Sequence, residues 1–533
     1  MRMPSNLVHQ FSVVPKINIP RSTFDRSHTY KTTFDSGYLI PILVDEALPG
    51  DTFNLKPTVF ARLLTPIVPI MDNMYLDTFY FAVPYRLVWS NWERFNGAQD
   101  NPGDSTDYTI PQMVSTASTG YAIGSLHDYL GLPTGIAGYT HNSLWHRAYN
   151  LIYNQWFRDE NLINSVTVDT GNGPDLPANY VLKRRGKRGD YFTTCLPFAQ
   201  KGTAVTMPIS GTAPVKGIGK ENQTFGGTPT VYETGGSGTT SYTYGAAIDF
   251  TQAARSFWVK GTAATGGYPA IYADLSAATS STINAWRLAL QSQAFLELDA
   301  RGGTRYTEII LAHFGCVSPD FRLQRAEYLG GTSVPININP VAQTSATDTA
   351  ASSQTPQGNL AAYAQVASHG GGFVKSFTEH CLILGIANVR ADLTYQQGLD
   401  RMFSRSTRYD FYWPSFAHLG EQAVLNKEIY LQGTSDDANT FGYQERHAEY
   451  RFKISKITGK FRSTASGTLD KWHLSEKFTS LPTLGETFIN STPPVDRVVA
   501  VTSQPQFQLD AYFKYICARP MPLYGVPGSL ARL

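Results

Sequence analysis

The stretch that decides the fold is TTFDSGYLIPILVDEALPGDTFNLKPTVFARLLTPIVPIMDNMYLDTFYFAVPYRLVWSNWERF, residues 33–95, in which apolar runs alternate with proline and glycine. Residues 48–51, LPGD, fit a type II turn, because proline fixes φ near about −65° and glycine accepts a positive φ. Residues 74–83 are apolar on both alternating faces, with Asp77 as the one charge, which predicts a strand buried from both sides. The stretch therefore predicts a β scaffold built for burial, without an obvious reactive group.

The composition of the chain favours strands and loops over helical bundles. Aromatic residues make up 13% of the 533 residues and charged residues only 16%, with 45 glycines and 31 prolines. So low a surface charge predicts that other subunits cover much of the surface. The net charge of +2 argues against a protein that condenses nucleic acid on its own.

The cysteines and the N-terminal residues indicate a chain from a reducing compartment. No two of the four cysteines have CxxC spacing, and we expect buried, reduced thiols at Cys195, Cys316, Cys381 and Cys517. No apolar run approaches about 18 residues, so no membrane span is predicted. Residues 1–32 lack the apolar core of a signal peptide and are predicted to form an extended polar arm.

Two helices and three further strands follow from periodicity. A helix beginning near residue 142 has one apolar face, formed by Trp145, Ala148, Tyr149, Ile152 and Trp156. A second helix is predicted over residues 282–298, ended by a pair of glycines. Residues 381–387 form a doubly buried run, and residues 446–455 and 507–517 alternate as strands with one inward face.

Three regions of biased composition are predicted to lie outside the core. Residues 201–281 are rich in Gly, Thr, Ser and Ala, so they bury too little apolar surface to be a core element. We expect them to form a surface-projecting insertion that neighbouring copies help to order. Residues 339–362 are predicted to be a low-complexity loop, and residues 519–533 an extended C-terminal tail.

The search for catalytic chemistry is negative. The chain contains no GxSxG, HExxH or Walker A motif. His141 and His146 are five residues apart, a poor helical spacing for metal ligands, and no metal site or cofactor is predicted. Asp436 and Asp437 fit a turn better than a calcium site. A carboxylate pair for glycoside hydrolysis needs only spatial proximity, and nothing in the sequence selects one.

Two basic clusters are the candidate sites for contact with DNA. The first cluster comprises Lys183, Arg184, Arg185, Lys187 and Arg188, and the second comprises Arg451, Lys453, Lys456, Lys460 and Arg462. Tyr450, Phe452 and Phe461 lie among the second set. Cations interleaved with aromatic rings suit single-stranded nucleic acid, since every base offers a π-face. A solvated loop and a solvated strand face are the alternatives.

Six segments in order resemble the major capsid protein of gokushoviruses, small icosahedral single-stranded DNA bacteriophages of the microvirus family. They are FDRSHTYKTTF, DEALPGDTF, AYNLIYNQWFRDENL, KRRGKRGDYFTTCLPFAQKG, DARGGTRYTEIILAHFGCVSPDFRLQRAEYLGG and FGYQERHAEYRFKISKITGKFRS. Together they span residues 24–463. Residues 201–281 occupy the position of the family's variable insertion.

The resemblance implies a single capsid domain, residues 1–533, built on an eight-stranded viral jelly roll, an antiparallel β-sandwich with long loop and helical insertions. It implies a virion protein that assembles in the host cytoplasm as sixty copies, with T=1 symmetry, around circular single-stranded DNA. It further implies that the insertion projects at the three-fold axes and contacts a host cell surface receptor, and that a small basic DNA-packaging protein is a partner. No enzymatic activity is expected.

Two other functions fit a β-rich chain of this composition. A jelly-roll carbohydrate-binding protein or adhesin would use the abundant aromatic residues to stack on sugars. A glycoside hydrolase on a β-sandwich would use a pair of carboxylates.

Overall fold

The computed structural model describes residues 20–203, 205, 215–216, 230–232, 241–243, 272–273, 283–303, 306–315, 324–345 and 357–524. The chain divides into two compact units, Met1–Ala199 with Gly302–Leu533, and Gln200–Arg301. The predicted arm up to residue 19, most of the predicted insertion, Cys316, residues 346–356 and the tail from residue 525 lie outside the described residues.

The first unit is built on an antiparallel β-sandwich, whose strands we number along the chain. They are β1 (Ser22–Asp25), β2 (His28–Phe34), β3 (Ile40–Ala47), β4 (Thr52–Leu63), β5 (Met74–Pro84), β6 (Glu327–Pro335), β7 (Asn337–Ala342), β8 (Leu360–His369), β9 (Phe373–Ser376), β10 (Cys381–Ala391) and β11 (Phe507–Arg519). The large sheet has the order β1-β11-β4-β8-β7, with β2 paired to β11 and β9 to β4. The second sheet has the order β6-β5-β10-β3.

The space between the two sheets is the main apolar core. Inward-facing side chains from both sheets meet there, among them Phe53 and Phe513 from the large sheet and Leu76 and Ile383 from the second. The predicted jelly-roll sandwich is confirmed, and short strands such as β1 and β9 widen it beyond eight strands within the described residues.

The turn predicted within the opening stretch is confirmed. Gly50 has φ of +89°, and the Asp51 N–H donates to the Leu48 carbonyl at 3.0 Å. The buried Asp51 carboxylate accepts from the Leu48 N–H at 2.9 Å and from Arg519, at the end of β11, at 2.6 Å. The turn between β3 and β4 is thereby fixed to the last strand of the sandwich.

The second sheet is buried on both faces, as the apolar runs of β5 and β10 predict. Its outer face packs against a layer of helices and loops from residues 85–182. Phe81 and Leu384 of the sheet contact Trp89 and Tyr149 of this layer in one cluster. The large sheet differs, since its outer side chains alternate with buried ones and stay exposed.

Five of the described α-helices are single turns of four residues, and three are longer. They are α1 (Tyr85–Val88), α2 (Trp92–Phe95), α3 (Leu126–Tyr129), α4 (Leu144–Ile152), α5 (Ile283–Arg301), α6 (Tyr306–Phe314), α7 (Asn426–Ile429) and α8 (Glu486–Ile489). The predicted helix after residue 142 is confirmed as α4, which continues as a π-helix over Tyr153–Phe157, and the helix predicted over 282–298 is confirmed as α5. No helix among the described residues is long and apolar enough to cross a membrane.

The remaining elements of the described residues are short strand pairs and 3₁₀ turns. The paired short strands are Gln112–Val114 with Thr140–Asn142, Val215–Lys216 with Tyr272–Ala273, Thr230–Tyr232 with Ser241–Thr243, Thr394–Tyr395 with Ser455–Lys456, and Glu421–Leu425 with Thr440–Glu445. The 3₁₀ turns are Pro177–Asn179, Arg401–Ser404, Arg408–Asp410, Pro414–Phe416, Ser435–Ala438, Ala448–Tyr450, Gly459–Phe461, Asp470–Trp472 and Val495–Arg497.

The strand predicted over residues 446–455 is wrong. His447 has φ of +62° and is followed by the 3₁₀ turn Ala448–Tyr450, so the alternation of apolar and polar residues does not produce a pleated strand. The cause lies in tertiary contacts. Glu449, predicted to face outward, is drawn inward by Arg405, which donates to it at 3.0 Å, and by Gln422, which donates at 2.8 Å.

Two other predictions of irregular structure need correction. The loop predicted over 339–362 is wrong at both ends, because β7 runs to Ala342 and β8 begins at Leu360. These residues pair through the main chain, which needs no large side chains, and Ala362 and Ala364 are small enough to pack against the core. The described part of the predicted N-terminal arm forms β1 and β2, both paired with β11.

Three histidines come together in the helical layer. His127 Nδ1 lies 2.8 Å from His146 Nε2, and His141 Nε2 lies 2.7 Å from the hydroxyl of Tyr121. Burial lowers the pKa of His127 to about 4, and the pKa of fully buried His146 is also depressed. No group of three or more metal-binding side chains occurs in the part of the chain that the structure describes.

The histidine cluster predicts acid sensitivity. Because the folded chain keeps His127 neutral, the unfolded chain binds more protons between its ordinary pKa of 6.5 and the folded value of about 4. Stability is therefore retained above pH 6.5 and falls as the pH is lowered towards 4, by about 1.4 kcal/mol for each unit of pKa shift. Thermal unfolding midpoints measured from pH 7.5 to 4 should decline, and His127→Gln should flatten that decline. Exposed His28→Gln is the matched control, and an unchanged slope in His127→Gln would contradict the assignment.

Candidate nucleic-acid interface

The first basic cluster forms a strap, residues 183–188, across the outer face of the second sheet. On one side the Lys183 carbonyl accepts from the Leu39 N–H at 2.9 Å, and the Arg185 N–H donates to the Gly37 carbonyl at 2.8 Å. On the other side the Lys187 N–H donates to the Ile489 carbonyl at 2.7 Å. The main chain of the strap is thus held between the start of β3 and the end of α8.

Arg185 of the strap meets a buried carboxylate. Asp77, in the middle of β5, is 3% exposed and pairs with both Arg185 and Arg390, the latter at 2.9 Å. The Arg185 guanidinium also lies 5.1 Å from the centroid of the Phe79 ring. The one charge in the predicted buried strand therefore anchors two arginines, one from β10 and one from the strap.

The neighbouring cations are engaged in the same way. The Arg184 guanidinium stacks 3.9 Å from the centroid of Tyr38 and donates to the Ser491 carbonyl at 3.2 Å. Lys187 pairs with Glu476 at 2.5 Å and is 4% exposed. Three of the five predicted DNA-facing residues therefore direct their charge to partners within the chain. Of the other two, Lys183 is half-buried and Arg188 is exposed.

The second cluster lies on loops, the short strand Ser455–Lys456 and the 3₁₀ turn Gly459–Phe461, and all five of its cations are exposed. Arg451 pairs with Glu445, and Lys456 pairs with Asp400 at 2.5 Å. Arg462 donates to the Gln396 carbonyl at 2.7 Å. Lys453 and Lys460 form no ion pair with any residue that the structure describes, so they offer their charge to solvent or to a partner.

An exposed aromatic patch, which was not predicted from the sequence, adjoins this cluster. Its side chains are each about half exposed or more, and they are Phe403, Tyr409, Phe411, Tyr412, Trp413 and Tyr450. The guanidinium of Arg405 lies 5.3 Å from the centroid of Phe411 and 4.4 Å from that of Tyr450. The signal was present in the sequence as RSTRYDFYWPSF, residues 405–416, where aromatic residues follow two arginines.

A cavity of about 140 Å³ lies beside the patch, lined in part by Tyr191, Arg401, Glu428, Glu449 and Lys453. Glu428 accepts from Tyr191 at 2.8 Å and from Arg401 at 2.9 Å, and its burial raises its pKa. Glu449 is paired with an arginine as well. Each of these carboxylates is held by an arginine, and Asp400, which also lines the cavity, is held by Lys456, so the ion pairs fix the surrounding loops in place.

Comparison with known proteins gives a consistent result. Residues 12–529 match the family described as Capsid protein (F protein). Relatives called Capsid protein VP1 occur in Bdellovibrio phage phiMH2K, 48% identical over 98% of both chains, and in Chlamydia phage 1, 45% identical over 99% of this chain and 98% of the relative. A third, from Spiroplasma virus 4, is 38% identical over 98% of this chain and 97% of its own.

The contact at Asp77 predicts a large effect on stability. Asp77→Asn removes the carboxylate that Arg390 and Arg185 share and leaves buried Arg390 only the more distant Asp392, 3.7 Å away. The loss of one partner costs about 3–5 kcal/mol in comparable buried pairs. The thermal unfolding midpoint of the variant should fall well below that of the parent. Arg188→Gln, in the same strap but exposed, should change stability by less than about 0.5 kcal/mol. Equal midpoints for both variants would refute the anchoring role.

Proposed function

The chain belongs to the family of phage capsid proteins described as Capsid protein (F protein) and is a major capsid protein of the gokushovirus type, and we propose that it assembles as sixty copies into a T=1 shell around circular single-stranded DNA. The observation that carries this proposal is the extent of the likeness. Three relatives called Capsid protein VP1 are covered over at least 97% of their own length. The protein is accordingly a component of the virion, assembled in the host cytoplasm.

The surface of the first unit supports lateral contacts between subunits. Loops of the helical layer expose large apolar side chains, with Ile123 86%, Leu176 65% and Ile136 54% accessible. In the proposed shell, neighbouring subunits would bury these side chains. The proposed role is structural, since most buried charges that the structure describes serve ion pairs within the chain.

The charge of the subunit supports the proposal of a basic partner. A genome that encodes 533 residues needs at least about 1,600 nucleotides, each with one negative charge. Sixty subunits with a net charge of +2 supply only about +120. We therefore propose that a small basic DNA-packaging protein, or cellular polycations, neutralises most of the genome. Arg188, Lys453 and Lys460 stay candidates for direct contact with DNA.

The proposed assembly can be tested directly on native particles. Electron microscopy of the native particle fraction should reveal small uniform shells that contain this chain, nuclease-protected single-stranded DNA and a small basic component. Particles with DNA but without any polycation would refute the charge argument alone. A soluble monomer with affinity for sugars would instead favour the jelly-roll adhesin.

The insertion is proposed to contact the host cell receptor from the three-fold axes. Replacing residues 202–280 with a short linker should leave shells intact and abolish adsorption to the host. The measurement is the fraction of particles bound to host cells, with shell yield scored by electron microscopy. Loss of shells in the variant would assign the insertion to assembly rather than to attachment.

A further inference from the structure

The two sheets of the sandwich differ in what covers them. The second sheet lies under the helical layer, but no described segment packs over the outer face of the large sheet. Along β4, Lys56, Phe60 and Arg62 are exposed between buried neighbours, and the same alternation continues on β8 and β11. This bare face, formed by the outward residues of β2, β4, β8 and β11, has no assigned role.

Aromatic rings are spread across the bare face. Phe60 on β4, Tyr512 on β11 and Tyr363 on β8 are 44%, 46% and 40% exposed. Tyr512 pairs in register with Thr58, so it lies diagonally beside Phe60, within reach of an aromatic side chain. Rings presented on the solvent side of three adjacent strands form a flat stacking surface.

The same face carries an excess of cations. Lys56 and Lys514 lie directly opposite each other on β4 and β11, an arrangement of like charges that destabilises a sheet unless something offsets it. Lys31 is neutralised by Asp510 at 3.4 Å. Asp25, on the adjoining strand β1, interacts with Lys514 from outside the bare face.

Counting Arg62, the outward residues of these four strands include four cations, Lys31, Lys56, Arg62 and Lys514, against one carboxylate, Asp510.

A groove at the edge of the face offers room for a nucleotide. It has a volume of about 760 Å³ and is lined by Lys31, Phe60, Arg62, Gln508 and Asp510, with Asp128 and Tyr129 on its far wall. This volume falls within the range of about 300–1,000 Å³ that small-molecule sites occupy. Phe60 and Arg62 belong to both the groove and the bare face, so one strand of nucleic acid could follow both.

We propose that the bare face of the large sheet is a binding surface for single-stranded DNA, an inference that rests on the proposed function. Bases stack on Phe60 and Tyr512, and phosphates contact Lys56, Lys514 and Arg62. Single-stranded DNA fits because aromatic stacking accepts any base and phosphates offset the opposed lysines. A second subunit fits less well, because lysine is depleted in the cores of protein interfaces.

The experiment compares three variants of the full chain with the parent, using a fluorescent oligo-dT of about 20 nucleotides. Phe60→Ala with Tyr512→Ala should weaken binding roughly five- to a hundredfold per ring. Lys56→Gln with Lys514→Gln should lower the salt dependence of log K by about 1.4, since each lost phosphate contact contributes about 0.7. Lys471→Gln with Lys477→Gln removes the same charge from exposed sites off this face and should leave both quantities unchanged.

Cross-linking of intact parent particles provides a readout that does not depend on variant folding. DNA carrying bromodeoxyuridine should cross-link on irradiation to peptides from β4 and β11. Parent particles that contain DNA but yield no such cross-links, or face variants that bind like the parent, would overturn the inference and leave the proposed function standing. Folded variants that bind DNA normally but form no shells would assign the face to subunit contacts and also overturn it. Parent chains that form no DNA-containing shell would instead refute the proposed function.

Discussion

The buried carboxylate of Asp77 is the constraint on which the arrangement of the first unit depends. It lies in the middle of β5 and binds Arg390 from the neighbouring strand β10 and Arg185 from the strap. A buried carboxylate is costly unless it is paired, and Arg185 adds a second partner to the one that Arg390 supplies, which favours the crossing of the strap at this place. The strap in turn joins the start of β3 to the end of α8 through its main chain. One charge thus connects the sandwich to segments distant in sequence.

The consequence is an asymmetric sandwich. The strap and the helical layer cover the second sheet, which explains why β5 and β10 are apolar on both faces. Among the described residues, no segment covers the outer face of the large sheet. A shell subunit needs such a difference, because one of its surfaces meets solvent and neighbouring subunits and the other meets the genome. The exposed rings and opposed lysines of the large sheet match the second of these environments.

Much of the fold could be predicted from the sequence, because buried segments have recognisable patterns of apolar residues. The doubly apolar runs, the Pro-Gly turn and the alternation in β11 each encode a local structure that tertiary contacts reinforce. The alternation of residues 446–455 is just as regular, yet Arg405 and Gln422 draw Glu449 inward and turn the chain. The candidate site was harder to predict for the same reason. Charge density identifies Arg185 and Lys187, but only the packing reveals that Asp77 and Glu476 already neutralise them.

These pairings bear on how a nearly neutral protein can hold a polyanion. Cations that serve the fold, such as Arg185, Lys187 and Arg519, are not available to DNA, because each is paired with a carboxylate within the chain. Binding that relied on charge alone would then be weak, because few free cations neutralise few phosphates. Stacking on exposed rings does not require net charge and does not discriminate between sequences. We therefore propose that a capsid subunit with few spare cations gains most from a flat aromatic surface, supplemented by a few lysines, and that a separate basic partner supplies the bulk neutralisation.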